Sequence, residues 1–404
     1  MVRTDVEKRS GPPQGDSVSI IFLRRVFAGI CLFFFSLAVL QVNAQGSAAA
    51  NSRSSNAEPI VIGQSVALSG PEEAQGREFK VGADAFFDAL NQAGGVNGRK
   101  IKLVSLDDGG DAKRAQANTQ QLVETENALA LFGYAGVAAV NAVVPLTEKY
   151  KVSLVGTASG DAALRDPANR YVFNVRASYE DEAARLIMQL VNGGVNKIAL
   201  FYQNDAYGRA GLAAVDRAMR ERKLNIVIFG SVDRDSLKVV SAAQTIAKSG
   251  AQAVIISAGA NSSAAFIKEM KKLGAPMRFC TLSSVGSRSL AGLLGDSGRG
   301  MEITQVVPFP FAGNDPLVRE YLARIGGAGK AGFGSFEGYI AAKVLAEGMK
   351  KAGKNISREG LFEALEKLGS IDIGGYRVAY SPGSHIGSSF VDTTVIGGGG
   401  SFKQ

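Results

Sequence analysis

Strand-like and helix-like segments alternate along most of this chain, and one stretch, 152–208, contains two such units in succession. Its order is strand, small-residue loop, extended connector through Asp166-Pro167, helix, strand and polar loop, at 152–156, 157–160, 166–176, 179–192, 197–202 and 203–208. Strands that alternate with helices predict parallel sheets covered by helices. We therefore expect the connector to cross between two lobes, with the two loops facing each other over a cleft.

The same alternation continues on both sides of the connector. Further strands are predicted at 60–66, 101–107, 128–132, 225–232, 253–257, 278–282 and 302–307, and the last of these is a candidate return crossover. The tail differs, because two strand-like segments, 376–380 and 390–396, follow each other and 397–400 is expected to fray. A third crossing near 388–391 would place the last strand on the second lobe.

The predicted fold class is therefore α/β, with two doubly wound lobes that have parallel-type central sheets and are joined by three crossover connections. A length of 404 residues also favours two domains over one core. We expect residues 58–176 plus 308–387 to form the first ligand-binding lobe. Residues 177–307 plus 388–404 would form the second.

The N-terminal segment is predicted to be a secretory signal peptide at 1–44. Arg24-Arg25 precede an apolar run at 26–40, and Val42-Asn43-Ala44 is a small-residue cleavage pattern. The run is short for a membrane span, which needs roughly 20 apolar residues. An uncleaved anchor and a twin-arginine rather than a Sec signal are the alternatives. Residues 45–57 are small and polar, and are expected to be a disordered leader.

The remaining residues offer little catalytic chemistry. Cys280 is the only cysteine after residue 44, so no intrachain disulfide can form once residues 1–44 are removed. His385 is the only histidine, so no histidine-based triad and no multi-histidine metal site can form. The glycine-rich segment 326–331 lacks the first glycine and the Ser or Thr of a phosphate-binding loop. The formal charge of +8 is spread over mixed Lys, Arg, Asp and Glu, which does not indicate nucleic-acid binding. We expect a monomeric protein that is not an enzyme and has no cofactor.

Loops at the carboxyl ends of the predicted strands are the candidate ligand site. Open α/β sheets bind ligands there, and in the first lobe these loops are 69–76, 133–139 and 157–161. Their small residues let backbone approach a ligand, and the N–H groups of the following helix starts suit a carboxylate. Tyr207 could close over the ligand from the second lobe, or instead pack within its own lobe.

Several segments in a fixed order resemble one protein family. They are 61–63 followed by 68–71, then 90–100, 171–178, 204–208, and 336–339 with 342–343. Over 58–396 the chain resembles the periplasmic leucine/isoleucine/valine-binding proteins, the type I substrate-binding components of ABC importers. The resemblance implies a periplasmic protein whose two lobes close over a small-molecule ligand and deliver it to an ABC transporter membrane permease.

The resemblance also implies site residues. The carboxylate-binding serine of the family falls at about Val137, beside Ala138, and its second carboxylate loop falls on Ala158, Ser159 and Gly160. Its ligand-covering tyrosine falls on Tyr207. The candidate set is completed by Ser69, Tyr179, Asp205, Asn261, Ser283 and Ser284.

Two departures from the family pattern occur among these positions. Val137 has no hydroxyl, and Ser283-Ser284 stand where amino-acid-binding members carry an acidic partner for the ammonium group. A buried ammonium without an anion is unfavourable, although a nearby polar residue could substitute, the candidates being Tyr179, Glu180, Asp205 and Glu337. A branched-chain or related amino acid is therefore the expected ligand, with amides, short peptides and aromatic or aliphatic carboxylates as alternatives. A ligand-sensing receptor of the same fold is the alternative function.

Overall fold

The computed structural model describes residues 58–234, 236–313 and 315–404. The predicted signal peptide and leader lie outside these ranges. Within them, no helix combines the length and the hydropathy that a membrane span requires.

Strands and helices follow one another in the expected order. The strands are β1 Ile60–Val66, β2 Ile101–Asp107, β3 Ala130–Phe132, β4 Leu154–Val155, β5 Val172–Phe173, β6 Ile198–Gln203, β7 Phe229–Val232, β8 Ala253–Ser257, β9 Arg278–Thr281, β10 Glu302–Gln305, β11 Gly369–Asp372, β12 Arg377–Tyr380, β13 Asp392–Ile396 and β14 Phe402–Lys403. The helices are α1 Glu73–Gln92, α2 Ala112–Glu124, α3 Val137–Tyr150, α4 Tyr179–Asn192, α5 Ala206–Glu221, α6 Val240–Ala247, α7 Ala260–Lys272, α8 Ser287–Leu294, α9 Pro316–Ile325, α10 Phe333–Ala352 and α11 Arg358–Glu366.

The first lobe is built on a parallel sheet with strand order β2-β1-β3-β4-β5. On one face, α1 turns Phe79, Phe86 and Phe87 towards the core, since these positions lie on one side of a helix. Helix α10 packs closely over α1. A Cβ at Gly338 would lie 2.0 Å from the carbonyl oxygen of Phe79, so this approach depends on glycine.

The second lobe is built on a sheet with order β14-β13-β10-β9-β8-β6-β7. Strands β6 to β10 are parallel, as predicted, whereas β13 is antiparallel to β10 and β14 is antiparallel to β13. The prediction that 397–400 frays the end of the chain is wrong. A turn at Gly398–Gly400 reverses the chain, and Phe402 then pairs with Ile396.

The chain passes between the two lobes three times, after β5, after β10 and after β12. Strand β12 belongs to a separate two-stranded sheet with β11. The three crossings lie side by side and are joined by hydrogen bonds. Asn174 in the first donates its backbone N–H to His385 in the third at 2.9 Å, and Tyr376 donates its hydroxyl to the carbonyl of Val306 in the second at 3.1 Å. The predicted α/β class with two lobes and crossover connections is confirmed, while the exact lobe boundaries stay a prediction.

Candidate functional site

A cavity of about 300 Å³ lies between the strand-end loops of the two lobes. From the first lobe it is lined by Pro71, Glu72, Ala74, Gln75, Gly136, Val137 and Ala158. From the second it is lined by Tyr179, Gln203, Tyr207, Arg234, Leu237, Gly259, Ala260, Asn261, Ser262, Ser284, Val285, Gly286 and Ser289. The wall is thus mixed, with apolar surface and several hydroxyl and amide groups, which is the usual character of a small-molecule pocket.

Helix starts contribute much of this wall. Helix α3 begins at Val137 after Gly136, and α7 begins at Ala260 after Gly259. Gly136 has a φ of +81°, which favours glycine. Backbone N–H groups in the first turn of a helix have no partner within that helix, so such starts suit acceptor groups of a ligand.

Half of the residues expected at the site line the cavity. They are Val137, Ala158, Tyr179, Tyr207, Asn261 and Ser284. The first two come from the first lobe and the other four from the second. The structure thus brings together residues as far apart in the sequence as Val137 and Ser284.

Two tyrosines from the second lobe form a pair in this wall. The ring centroids of Tyr179 and Tyr207 are 5.7 Å apart, and the hydroxyl of Tyr179 donates to Oγ of Ser284 at 3.1 Å. The hydroxyl of Tyr207 is buried and has no hydrogen-bond partner among the described residues. Burial raises the pKa of both phenols, that of Tyr207 to well above its usual value. Both side chains are therefore neutral hydrogen-bonding groups.

The other six expected residues do not line the cavity. They are Ser69, Ala138, Ser159, Gly160, Asp205 and Ser283. Ser69 donates its hydroxyl to Asp107 at 2.5 Å, and Asp205 caps α5 by accepting from the N–H of Gly208 at 2.9 Å. Ala138 is half-buried on α3, whose neighbouring Val137 takes the cavity position.

Gly160 contacts the lining residue Tyr179, whereas Ser159 has only a local hydrogen bond. The carbonyl of Gly160 accepts the N–H of Tyr179 at 2.8 Å. A Cβ at Gly160 would lie 2.5 Å from the ring of Tyr179, so glycine is needed for this ring position. Ser159 is fully buried, and its hydroxyl accepts the N–H of Asp161 at 3.4 Å.

A buried ion pair beside the cavity was missed by sequence reasoning. Nη2 of Arg176 lies 2.6 Å from Oε1 of Glu182, and the two side chains are 2% and 0% exposed. Arg176 also donates to Oγ of Ser283 at 2.6 Å and to Oγ of Ser284 at 3.2 Å. A second carboxylate, that of Glu337, lies 3.4 Å from Nη1 of Arg176. The sequence does contain an indication of this ion pair, because the acidic residue Glu182 lies on the same apolar face of α4 as Tyr179.

This network explains the serines at 283 and 284. Oε2 of Glu182 accepts the N–H of Ser283 at 2.8 Å and the hydroxyl of Thr304. An acidic side chain at Ser283 would face Glu182, and like charges in a buried site are unfavourable. Burial by itself lowers the pKa of Arg176, but the carboxylates of Glu337 and Glu182 outweigh it and raise that pKa. Burial raises the pKa of Glu337 despite Arg176.

A second ion pair joins the lobes at the cavity. Oε1 of Glu72, in the first lobe, lies 3.1 Å from Nη2 of Arg234, in the second. The two side chains are 32% and 34% exposed. Both residues line the cavity. Glu72 lies in the expected loop 69–76 but was not singled out, and Arg234 was not expected at the site.

The remaining candidate groups lie elsewhere. Among the described residues, no group of three or more His, Cys, Asp or Glu side chains is arranged to hold a metal ion. Cys280 is buried in β9. His385 stacks on Phe173 with ring centroids 4.1 Å apart and lies 3.3 Å from Glu366, near the crossings.

Known proteins are similar to this chain in sequence. A family profile described as "Periplasmic binding protein" matches residues 59–389. An "Amino acid binding protein" of Pseudomonas aeruginosa is 25% identical over 307 residues, which span 73% of this chain and 79% of the relative.

Solved structures share the fold over most of both chains. A possible leucine/isoleucine/valine-binding protein from Rhodopirellula baltica has a TM-score of 0.81 at 30% identity, covering 86% of this chain and 96% of that one. A substrate-binding periplasmic protein from Ralstonia solanacearum has a TM-score of 0.77 at 31% identity, covering 84% and 98%.

Proposed function

We propose that this chain, which belongs to the periplasmic binding protein family, is the solute receptor of an ABC importer. It is a binding protein and not an enzyme, as are its relatives. In this proposal it binds a small carboxylate-bearing solute, by family default a branched-chain or related amino acid, and presents the closed form to a membrane permease.

One observation carries the proposal, namely that both lobes contribute to the walls of a single cavity of about 300 Å³. Pockets for small organic ligands begin at about this volume. A solute that contacts Val137 in one lobe and Asn261 in the other stabilises the closed arrangement relative to the open one. Such differential binding is what shifts a hinge equilibrium.

The family places the protein outside the cytoplasm. We further propose that residues 1–44 are a signal peptide that is removed near Ala44, and that the mature protein acts in the periplasm as a monomer. The name of the Pseudomonas aeruginosa relative, "Amino acid binding protein", supports an amino acid as the first ligand to test.

Thermal unfolding of the mature, ligand-stripped protein tests the proposal. The panel comprises amino acids, aliphatic amides, aliphatic and aromatic acids and short peptides, each at a fixed protein concentration. A solute at 1,000 times its Kd adds about 4 kcal/mol to the stability of the native state, which raises the Tm by several degrees. Stabilisation by one class of small solute is expected, and stabilisation by none would overturn the proposal.

A further inference from the structure

Two opposite charges lie in the wall of the cavity, on opposite lobes. Among the described lining residues, only Glu72 has an acidic side chain and only Arg234 has a basic one. Each keeps about a third of its side-chain surface exposed, so a bound solute can reach them. The rest of the described lining is apolar, amide or hydroxyl.

The other acids that could meet an ammonium group are committed elsewhere. Glu182 is fully buried and accepts hydrogen bonds from Arg176, Ser283 and Thr304. Asp205 caps α5 and accepts the side-chain amide of Gln203 at 2.6 Å. None of Glu180, Glu182, Asp205 and Glu337 is among the lining residues of the cavity. Glu72 is left as the acid that faces a ligand.

The carboxylate of Glu72 also lies close to the backbone at the start of α3. Its Oε2 would lie 2.8 Å from a Cβ at Gly136, so it packs against the start of α3, while its Oε1 pairs with Arg234. Negative charge is favoured at a helix start. Glu72 therefore supplies a carboxylate beside Gly136, the residue that precedes Val137.

Arg234 offers the complementary group. A guanidinium has five N–H donors in a planar fork and can bond two carboxylates at once. It can therefore keep its contact with Glu72 while it bonds a ligand carboxylate. In an α-amino acid the ammonium and carboxylate are attached to one carbon, and a neighbouring carboxylate and guanidinium match that arrangement.

We infer that Glu72 binds the ammonium group and Arg234 the carboxylate group of a zwitterionic solute, whose side chain enters the deeper part of the cavity by Val137, Ala158 and Tyr207. This assignment rests on the proposed receptor function. It adds the residues that bind the head group of the ligand, which is its ammonium and carboxylate groups. An anion without an ammonium meets Glu72, and a cation without a carboxylate meets Arg234. Both are disfavoured relative to the zwitterion.

Four compounds with one carbon skeleton test the assignment by titration calorimetry. They are L-leucine, L-leucinamide, 4-methylpentanoate and 4-methylpentanamide, which present a zwitterion, a cation, an anion and an uncharged amide, at a pH that keeps the amine of L-leucinamide protonated. The same four head groups on the benzyl skeleton of L-phenylalanine accompany them. Within the skeleton that binds, the zwitterion should bind at least about tenfold more tightly than each of the other three, as the loss of one charge-assisted hydrogen bond implies.

Two variants should each reduce one part of this preference. Glu72→Gln should reduce the preference for the zwitterion over the anion by about tenfold, because the anion no longer meets a carboxylate. Arg234→Gln should reduce the preference for the zwitterion over the cation by a similar factor. Glu73→Gln and Arg220→Gln are matched controls, since both residues are outside the lining and exposed, and both should bind like the wild type.

The outcomes separate the two proposals. If the anion, the cation or the uncharged amide binds as tightly as the zwitterion, or if Glu72→Gln and Arg234→Gln leave the preferences unchanged, the head-group assignment is wrong and the receptor function stands. If only a non-zwitterionic solute from the wider thermal panel binds, the assignment is likewise wrong. If no solute binds in either experiment, both proposals fall.

Discussion

The guanidinium of Arg176 lies 2.6 Å from the carboxylate of Glu182, in a place from which solvent is almost wholly excluded. Arg176 belongs to the first crossing, and Glu182 belongs to α4 of the second lobe. With Glu337 of α10 on its other side at 3.4 Å, this guanidinium ties the crossing to both lobes.

Replacing Glu182 should be severely destabilising. Glu182→Gln leaves Arg176 buried without its shortest ionic partner, and removing one member of a buried pair costs about 3 to 5 kcal/mol. Urea unfolding measures the loss. Glu221→Gln, which removes an exposed partner 4.0 Å from Arg217, is the control and should change little. If Glu182→Gln is no more destabilising than this control, the ionic network does not stabilise the fold.

Tyr207 should contribute to ligand binding more than to folding. Because its buried hydroxyl has no partner among the described residues, Tyr207→Phe removes an unsatisfied group, and the ligand-free protein should become more stable by about 1 kcal/mol or more. Tyr207→Ala should weaken binding of the solute found by the thermal panel without unfolding the lobe. Calorimetry measures the affinity, and an unchanged affinity for Tyr207→Ala would remove this residue from the site.

Glu78 should make stability fall as the pH rises. Burial raises its pKa above the ordinary value of 4.5, although Arg288 and two backbone N–H groups at the start of α10 act in the opposite direction. A raised carboxyl pKa in the folded state contributes stability that is full below the unfolded pKa and is lost as the pH rises through the folded pKa. Glu78→Gln should therefore gain stability relative to the wild type between about pH 4.5 and neutral pH.

Thermal unfolding over this pH range checks the sign. Asp372→Asn is a control of opposite sign, because the N–H groups of Gly375 and Gly374 lower the pKa of Asp372. Its stabilising contribution is present above the unfolded pKa and is lost as the pH falls, so this variant should differ most from the wild type at neutral pH. A difference between Glu78→Gln and the wild type that stays constant with pH would show that Glu78 does not titrate as described.

The strand and helix order was predictable from sequence because it depends on local periodicity. The boundaries of α4 at Tyr179–Asn192 match the expected segment, since a Ser178 capping box begins the helix and apolar positions repeat along it. Strand β11 was not predicted. Its segment, Gly369–Asp372, is mostly exposed and becomes a strand only by pairing with β12, which no local pattern indicates.

The site was only partly predictable for a related reason. Loops at strand ends follow from the fold, and they led to Val137, Ala158 and Tyr207. Whether a polar side chain in such a loop is available to a ligand depends on whether a residue distant in the sequence already forms a hydrogen bond with it. Ser69 is hydrogen-bonded to Asp107, and Ser283 is hydrogen-bonded to Arg176 and Glu182. The ion pair of Glu72 and Arg234 joins residues that are 162 positions apart in the sequence.

The central claim is that one small solute binds in the cavity between the lobes. Calorimetric titration of the ligand-stripped wild type and of Ala260→Trp with the thermal panel tests it most directly, because Ala260 is a half-buried lining residue and tryptophan would fill the space. Ala213→Trp, at an exposed position on α5, is the control. We predict one bound solute per chain in the wild type and in Ala213→Trp, and none in Ala260→Trp with its native fold retained. Unchanged binding by Ala260→Trp, or no binding by the wild type, would contradict the claim.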